Sequence, residues 1–143
     1  MIDYGMDGKV ALVTGAAGGI GRAAALTFAR SGASVLVCDV SEAGGRETVA
    51  LIAASGRGKA AFQHCDVSKA DDVKAMVAAA VETFGRLDFA FNNAGINSIM
   101  ANEYDDDVWA RSLGVNLTGV MMCMREESEA MLKTGGGAIV NTA

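Results

Sequence analysis

A chain of 143 residues that is 51% apolar and 20% charged can bury one core without disulfides or metals, and is too apolar to be disordered. Its formal net charge of -5 argues against a nucleic-acid footprint, which needs a basic face, and against docking on anionic membranes. No apolar run approaches the ~20 residues of a membrane helix, and residues 1–7 have neither the basic nor the apolar segment of a secretory signal.

Short β-branched runs alternate with longer segments of helical period. Residues 9–14 (KVALVT) read as a buried strand. A helix is expected over 20–31, stopped by Gly32. Residues 34–39 form a second strand, and Ser41 caps a second helix that ends near Gly56. Residues 60–66 form a third strand. Ser68 followed by Asp71 resembles a capping box. Val73, Met76, Val77, Ala80, Val81 and Phe84 then make one amphipathic stripe ended by Gly85. Residues 87–91 form a fourth strand, and a loop runs over 92–103. A long helix is expected over 105–133, broken by Gly135, Gly136 and Gly137, with a fifth strand from Ala138. On that helix Val120, Met121, Met124 and Met131 are apolar positions expected to lack a partner.

Strand–helix–strand repetition implies right-handed crossovers and a parallel sheet covered on both faces. The fold class expected is α/β, a doubly wound sheet of five strands in the order 3-2-1-4-5, in one domain over 1–143. Cys38, Cys65 and Cys123 are odd in number and far apart, as small buried hydrophobes of a reducing cytoplasm would be. His64 is the single histidine, and no metal site is expected.

Between the first strand and first helix lies Thr14-Gly15-Ala16-Ala17-Gly18-Gly19-Ile20-Gly21. Glycines there permit a tight turn, close backbone approach to a pyrophosphate, and close helix–strand packing. The helix N-terminus adds unpaired N–H groups and a positive dipole end. Gly15, Gly18, Gly19, Ile20 and Gly21 are therefore candidate phosphate-binding positions; a ligand-free glycine turn is the alternative. Asp39 ends the second strand, where a carboxylate accepts hydrogen bonds from ribose hydroxyls. Val40 and Ser41 follow it with no adjoining Arg or Lys, which favours NAD over NADP. For Asp39 a helix-capping role is the alternative.

The spacing Thr-Gly-x3-Gly-Ile-Gly resembles the version of this turn found in short-chain dehydrogenases/reductases. Further motifs of that family follow in order over nearly the whole chain. Cys65-Asp66-Val67 resembles the segment whose Asp contacts the adenine amino group, with the next residue's backbone close by. Asn92-Asn93-Ala94-Gly95 resembles the motif that stabilises the central sheet and borders the cofactor. Asn116, in Val115-Asn116-Leu117, resembles the helix asparagine of the catalytic tetrad, and 139–141 resembles the strand leading to the catalytic serine. Taken singly, Asp66 reads equally as a strand-end cap, Asn92 and Asn93 as turn residues, and Asn116 as a polar helix position.

The resemblance implies a Rossmann-like domain and reversible hydride transfer between nicotinamide and an alcohol or carbonyl carbon. In that family a tyrosine is the acid/base, a lysine lowers its pKa, a serine positions the substrate oxygen, and the asparagine supports a water. Here Asn141 is followed by Thr142 and Ala143. Neither tyrosine opens a Tyr-x-x-x-Lys motif, since Gly8 follows Tyr4 and Val108 follows Tyr104 at that spacing. The expectation is thus a cofactor-binding portion, incomplete at its C-terminus and inactive alone. The alternative is a non-catalytic dinucleotide-binding or assembly domain, truncated or vestigial. Residues 96–102 are expected to border the substrate, and the 105–133 helix to mediate homo-oligomer contacts.

Overall fold

A computed structural model describes residues 4–97, 102 and 104–142. The β-branched run after Lys9 forms β1 (Val10–Thr14) and the next forms β2 (Ser34–Asp39). They are followed by β3 (Ala60–His64), β4 (Phe89–Asn92) and β5 (Ala138–Asn141). All pair in parallel, in the order β3-β2-β1-β4-β5. This is the doubly wound sheet expected. The order reverses between β1 and β4, which opens a crevice at the carboxyl ends of those strands.

The helices are α1 (Gly19–Arg30), α2 (Glu42–Ala54), α3 (Ala70–Phe84), α4 (Asp106–Leu113) and α5 (Val120–Leu132). Strand pleat divides the core in two. Val13, Val35 and Val37 pack with Ala25, Ala29 and Ile52 under α1 and α2. Leu12, Leu36 and Ala90 pack with Val73, Met76, Met122 and Met131 under α3 and α5. Beyond α1, Phe28, Phe89, Phe91, Ala138 and Val140 line an apolar hollow of about 360 Å³ on the β4–β5 face. Phe28 and Phe89 stack there with ring centroids 6.1 Å apart.

Several boundaries differ from the sequence reading. Ser68 does not cap α3. Its hydroxyl donates to Asp66 Oδ1 at 2.6 Å, and the N-cap position falls to Lys69. Asp72, in the first turn of α3, accepts instead from the Asp66 N–H at 2.9 Å. The long 105–133 helix is not uniform. Its middle, Gly114–Gly119, is π-helical and joins α4 to α5. Met131, expected to lack a partner, is 3% exposed and sits in the core, whereas Met121 and Met124 face outward.

Asp88, just before β4, was not singled out by the sequence. It is buried, accepts from the Val10 N–H at 2.9 Å, and takes two hydrogen bonds from the Arg86 guanidinium at 2.6 and 2.8 Å. Burial pushes its carboxyl up, but Arg86, the Val10 N–H and Lys9 outweigh that and hold it below the usual carboxylate range. The site lies at the other end of the sheet.

Candidate functional site

The glycine turn takes its shape from backbone conformations that only glycine adopts cheaply. Gly15 and Gly19 sit at φ 64° and 51°. A Cβ on Gly15 would lie 2.9 Å from the Ala94 Cα, and one on Gly21 would run into the Gly15 carbonyl oxygen. These two glycines therefore let β1, α1 and the β4 turn close on one another. Gly18 and Gly19 are different: a Cβ there would meet nothing within 4 Å. Gly18 is the N-cap of α1 and no side chain caps the helix. The first N–H groups of α1 thus face open space, beside an Ile20 side chain that is 69% exposed. That is the donor set and the clearance that a phosphate requires.

The turn is braced from two sides. Thr14, 2% exposed, accepts at Oγ1 from the N–H groups of Asn93 and Ala94, both at 3.0 Å. The Asn93 side chain returns the contact, donating to the carbonyls of Thr14 at 3.2 Å and Gly15 at 3.4 Å. On the other side Thr48 donates to the Ala16 carbonyl at 2.8 Å, and Arg22 donates to Thr48, Glu47 and the carbonyls of Ala17 and Gly44. Thr14, Arg22 and Thr48 were missed by the sequence reading. Their roles depend on partners that only the folded chain brings near.

Asp39 closes the far side of the turn. Its Oδ2 accepts from the Ala17 N–H and its Oδ1 from the Ser41 N–H, both at 2.9 Å. Each carboxylate oxygen keeps a second lone-pair direction for a hydroxyl donor. The capping alternative is only partly met, because Ser41 itself caps α2 by accepting from the Gly44 N–H at 3.3 Å. Among the described residues no Lys or Arg forms an ion pair with Asp39.

One cleft of about 180 Å³ brings together seven of the predicted positions, Gly15, Asp39, Val40, Asp66, Val67, Ala94 and Gly95, whereas Gly18, Gly19, Ile20, Gly21 and Asn116 do not line it. Arg111 of α4 and Val115 of the π segment complete its wall, and neither was predicted. Asp66 keeps its charge. The Ser68 hydroxyl, then Lys69, holds its carboxyl below the usual range against the effect of burial. Asn93 stands behind the cleft as a brace rather than in its wall.

Asn116 lies in the π segment and does not project freely. Its Oδ1 accepts from the Ile96 N–H at 2.8 Å and its Nδ2 donates to the Ile96 carbonyl at 2.9 Å. One side chain thus satisfies both backbone groups of a loop residue that lines the cleft. The extra residue of a π turn redirects a helix side chain. Gly119, where a Cβ would meet the Val67 carbonyl at 2.8 Å, seats the segment tightly. The expected substrate-bordering segment 96–102 lies mostly outside the described residues. A larger groove of about 400 Å³ between α3 and α5, edged by Lys74, Glu82, Arg86 and Glu129, contains none of the predicted residues. Among the described residues no helix is long and apolar enough to cross a membrane, and no cluster of His, Cys, Asp or Glu could hold a metal ion.

The short chain dehydrogenase family model matches residues 9–143. Over 139 residues the chain is 47% identical to cyclohexanol dehydrogenase from an Acinetobacter species, covering 94% of this chain and 54% of that protein. Over 141 residues it is 43% identical to a short chain dehydrogenase/reductase of Aspergillus oryzae, covering 96% and 54%. A short-chain dehydrogenase/reductase from Burkholderia phymatum, solved in complex with NAD, superposes with a TM-score of 0.89 at 35% identity, over 100% of this chain and 50% of that one. The chain spans about half the length of the curated relatives it matches. By family model, sequence and fold alike, this chain belongs to the short-chain dehydrogenase family of oxidoreductases.

Proposed function

We propose that the chain forms the dinucleotide site of an oxidoreductase that interconverts an alcohol and a carbonyl compound, with NAD as the preferred cofactor over NADP. One observation carries this: Gly15 of the glycine turn, the Asp39 carboxylate and Asp66 line one cleft at the β1–β4 switch point, and the turn leads into a helix N-terminus that no side chain caps. In this reading the N–H groups around Gly18, Gly19 and Ile20 bind the pyrophosphate. Asp39 accepts from the adenosine ribose hydroxyls and would repel a 2′-phosphate. Asp66 and Val67 flank the adenine, Val40 packs beside it, Ala94 and Gly95 carry the floor toward the nicotinamide, and Asn93 braces that floor from behind. Asn116 holds Ile96 and so shapes the loop at the reacting end. When bound, the cofactor supplies the hydride-transfer chemistry; these residues supply binding, orientation and exclusion of water. The NAD complex of the Burkholderia relative supports the choice of ligand.

Residues 1–143 alone are proposed to bind the dinucleotide without turning over alcohol. Both tyrosines lie away from the cleft: Tyr4 is 61% exposed and Tyr104 is 86% exposed, and neither lines it. Trp109, Leu113, Leu117, Met121 and Met124 recur at spacings of three and four residues along the outer face of α4 to α5, and all are exposed. We place self-association on that stripe. The three buried free cysteines suit a reducing cytoplasm. Calorimetric titration of residues 1–143 with NAD and NADP tests the cofactor reading. Saturable NAD binding stronger than NADP binding supports it; no binding of either overturns it. Alcohol-dependent NADH formation by the same chain overturns the claim of inactivity, and sedimentation that reports only monomer at high concentration removes the self-association surface.

A further inference from the structure

Glu127 is the one acidic side chain in the hydrophobic core among the described residues apart from Asp88, and unlike Asp88 it has no cation beside it. It lies on α5, with 0% of its surface exposed. Its Oε2 accepts from Asn92 Nδ2 at 2.9 Å, and that same amide nitrogen donates to Asn141 Oδ1 at 3.0 Å. Both amide hydrogens of Asn92 are then used. Two buried atoms remain with no hydrogen-bond partner, Asn92 Oδ1 and Glu127 Oε1. Both are acceptors, and they belong to two planar groups already joined by one hydrogen bond. One hydrogen is missing from the pair, and a proton on the carboxyl supplies it.

We propose that Glu127 is held as a neutral carboxylic acid whose O–H donates to Asn92, and that this acid–amide pair is a positioning device for the β4 terminus. The pair is then joined by two antiparallel hydrogen bonds, with every buried atom partnered. The ionised alternative would bury a full charge with a single neutral donor, which is far less favourable. Among the described residues no Lys, Arg or His pairs with the carboxyl to offset such a charge. Cys123 on α5, Cys65 after β3 and Cys38 on β2 are its titratable neighbours, and burial pushes all three thiols up so that they stay neutral. The buried face of α3 is apolar, formed by Val73, Met76, Val77 and Ala80. β4 and β5 contribute only the Asn92 and Asn141 amides. Arg125 and Glu126, its neighbours along α5, pair with each other. Burial pushes the Glu127 carboxyl up to about 7, with the Asn92 hydrogen bond pulling the other way.

Asn92 is adjacent to Asn93, which braces Thr14 and Gly15. The Asn92 carbonyl also accepts from the Thr142 N–H at 3.0 Å. The pair therefore fixes β4, β5 and α5 together directly behind the cleft. Its effect on the cofactor rests on the function proposed above; the proton itself does not.

Infrared difference spectroscopy on protein carrying isotope-labelled glutamate reads the proton directly, without nucleotide. A neutral-acid carbonyl band should be present well below pH 7, lost in Glu127→Gln, and titrate away in the wild type as pH rises through about 7. Glu127→Gln reproduces the neutral acid in shape, because its amide donates where the O–H did. It should keep wild-type stability at low pH and remove the pH dependence above it, whereas Glu127→Ala should lose stability throughout. Absence of the acid band from the wild type at every pH overturns the proposal. So does a band that survives in Glu127→Gln. If the band behaves as expected but no dinucleotide binds, the proton stands and the cofactor reading falls.

Discussion

Replacing Thr14 by valine removes one oxygen from the cofactor turn and little volume. In the native chain that oxygen accepts from two backbone N–H groups, those of Asn93 and Ala94, at 3.0 Å each. The side chain is 2% exposed, so water does not reach the place the oxygen leaves. A donor stranded in this way costs about 1–3 kcal/mol. Two such donors, themselves half-buried, put Thr14→Val at roughly 2–4 kcal/mol, a large part of the ~5–15 kcal/mol stability of an ordinary domain. Thr14→Ser keeps the oxygen and loses only a methyl group, a cost of about 1 kcal/mol. Urea denaturation followed by circular dichroism measures both; the midpoint should fall in valine with the slope unchanged. Dinucleotide affinity should fall with it, because Ala94 lines the cleft. A valine variant as stable as wild type, or a serine variant as damaged as valine, would refute the assignment of Thr14 as the clamp.

Gly21→Ala should destabilise the fold by ~1–3 kcal/mol through collision with the Gly15 carbonyl, read by thermal melts. Gly19→Ala meets no atom but must hold φ 51°, costing about 1 kcal/mol, while its methyl enters the proposed phosphate space. It should therefore lose affinity out of proportion to stability, and equal losses would remove phosphate from that position. Asp39→Ala should weaken NAD and narrow the NAD-over-NADP preference; an unchanged ratio in titration disproves the ribose role. For Glu127 the folded pKa is raised from 4.5 to about 7. Its contribution is then fully present below pH 4.5 and lost as pH rises through about 7, roughly 3 kcal/mol in all at ~1.4 kcal/mol per unit. Denaturation across that window should show this fall in the wild type and not in Glu127→Gln.

The fold was legible because its signals are local. Short apolar runs marked the strands, β-branched in β1, β2 and β5 and aromatic in β3 and β4, and glycines marked helix ends, as Gly32 and Gly85 do at φ 100° and 88°. Alternation of strand and helix then restricts the topology. The misplaced boundaries share a cause. The third strand was expected to reach Asp66 but ends at His64, opposite Asp39, where its only neighbour β2 also ends. An edge strand stops where its partner stops, which no local pattern records. Ser68 has the right residue type and spacing for a cap, but the Asp66 carboxylate two residues away takes its hydroxyl.

Legibility of the site follows the same division. Residues that would touch a ligand through backbone or short side chains sit in motifs and could be named: the glycines, Asp39 and Asp66. The distant partners that hold those motifs in place could not. Thr14 and Asn93 are 79 positions apart, Thr48 and Ala16 are 32 apart, and Asn92 and Glu127 are 35 apart. Glu127 illustrates the point most sharply. In sequence it is one acid in the run Glu126-Glu127-Ser128-Glu129, the pattern of a solvated helix face. The helix turns it inward, and there its hydrogen-bond partner is Asn92, 35 positions back. Asn116 is the intermediate case. Its motif was readable, but a regular helix was assumed around it. The π segment that aims its amide at Ile96 leaves no periodic trace, since apolar spacing on either side remains compatible with an ordinary helix. A motif can therefore identify the residue while the irregular backbone determines what its side chain does. In this chain the Asn116 amide clamps the Ile96 backbone through both of its polar atoms.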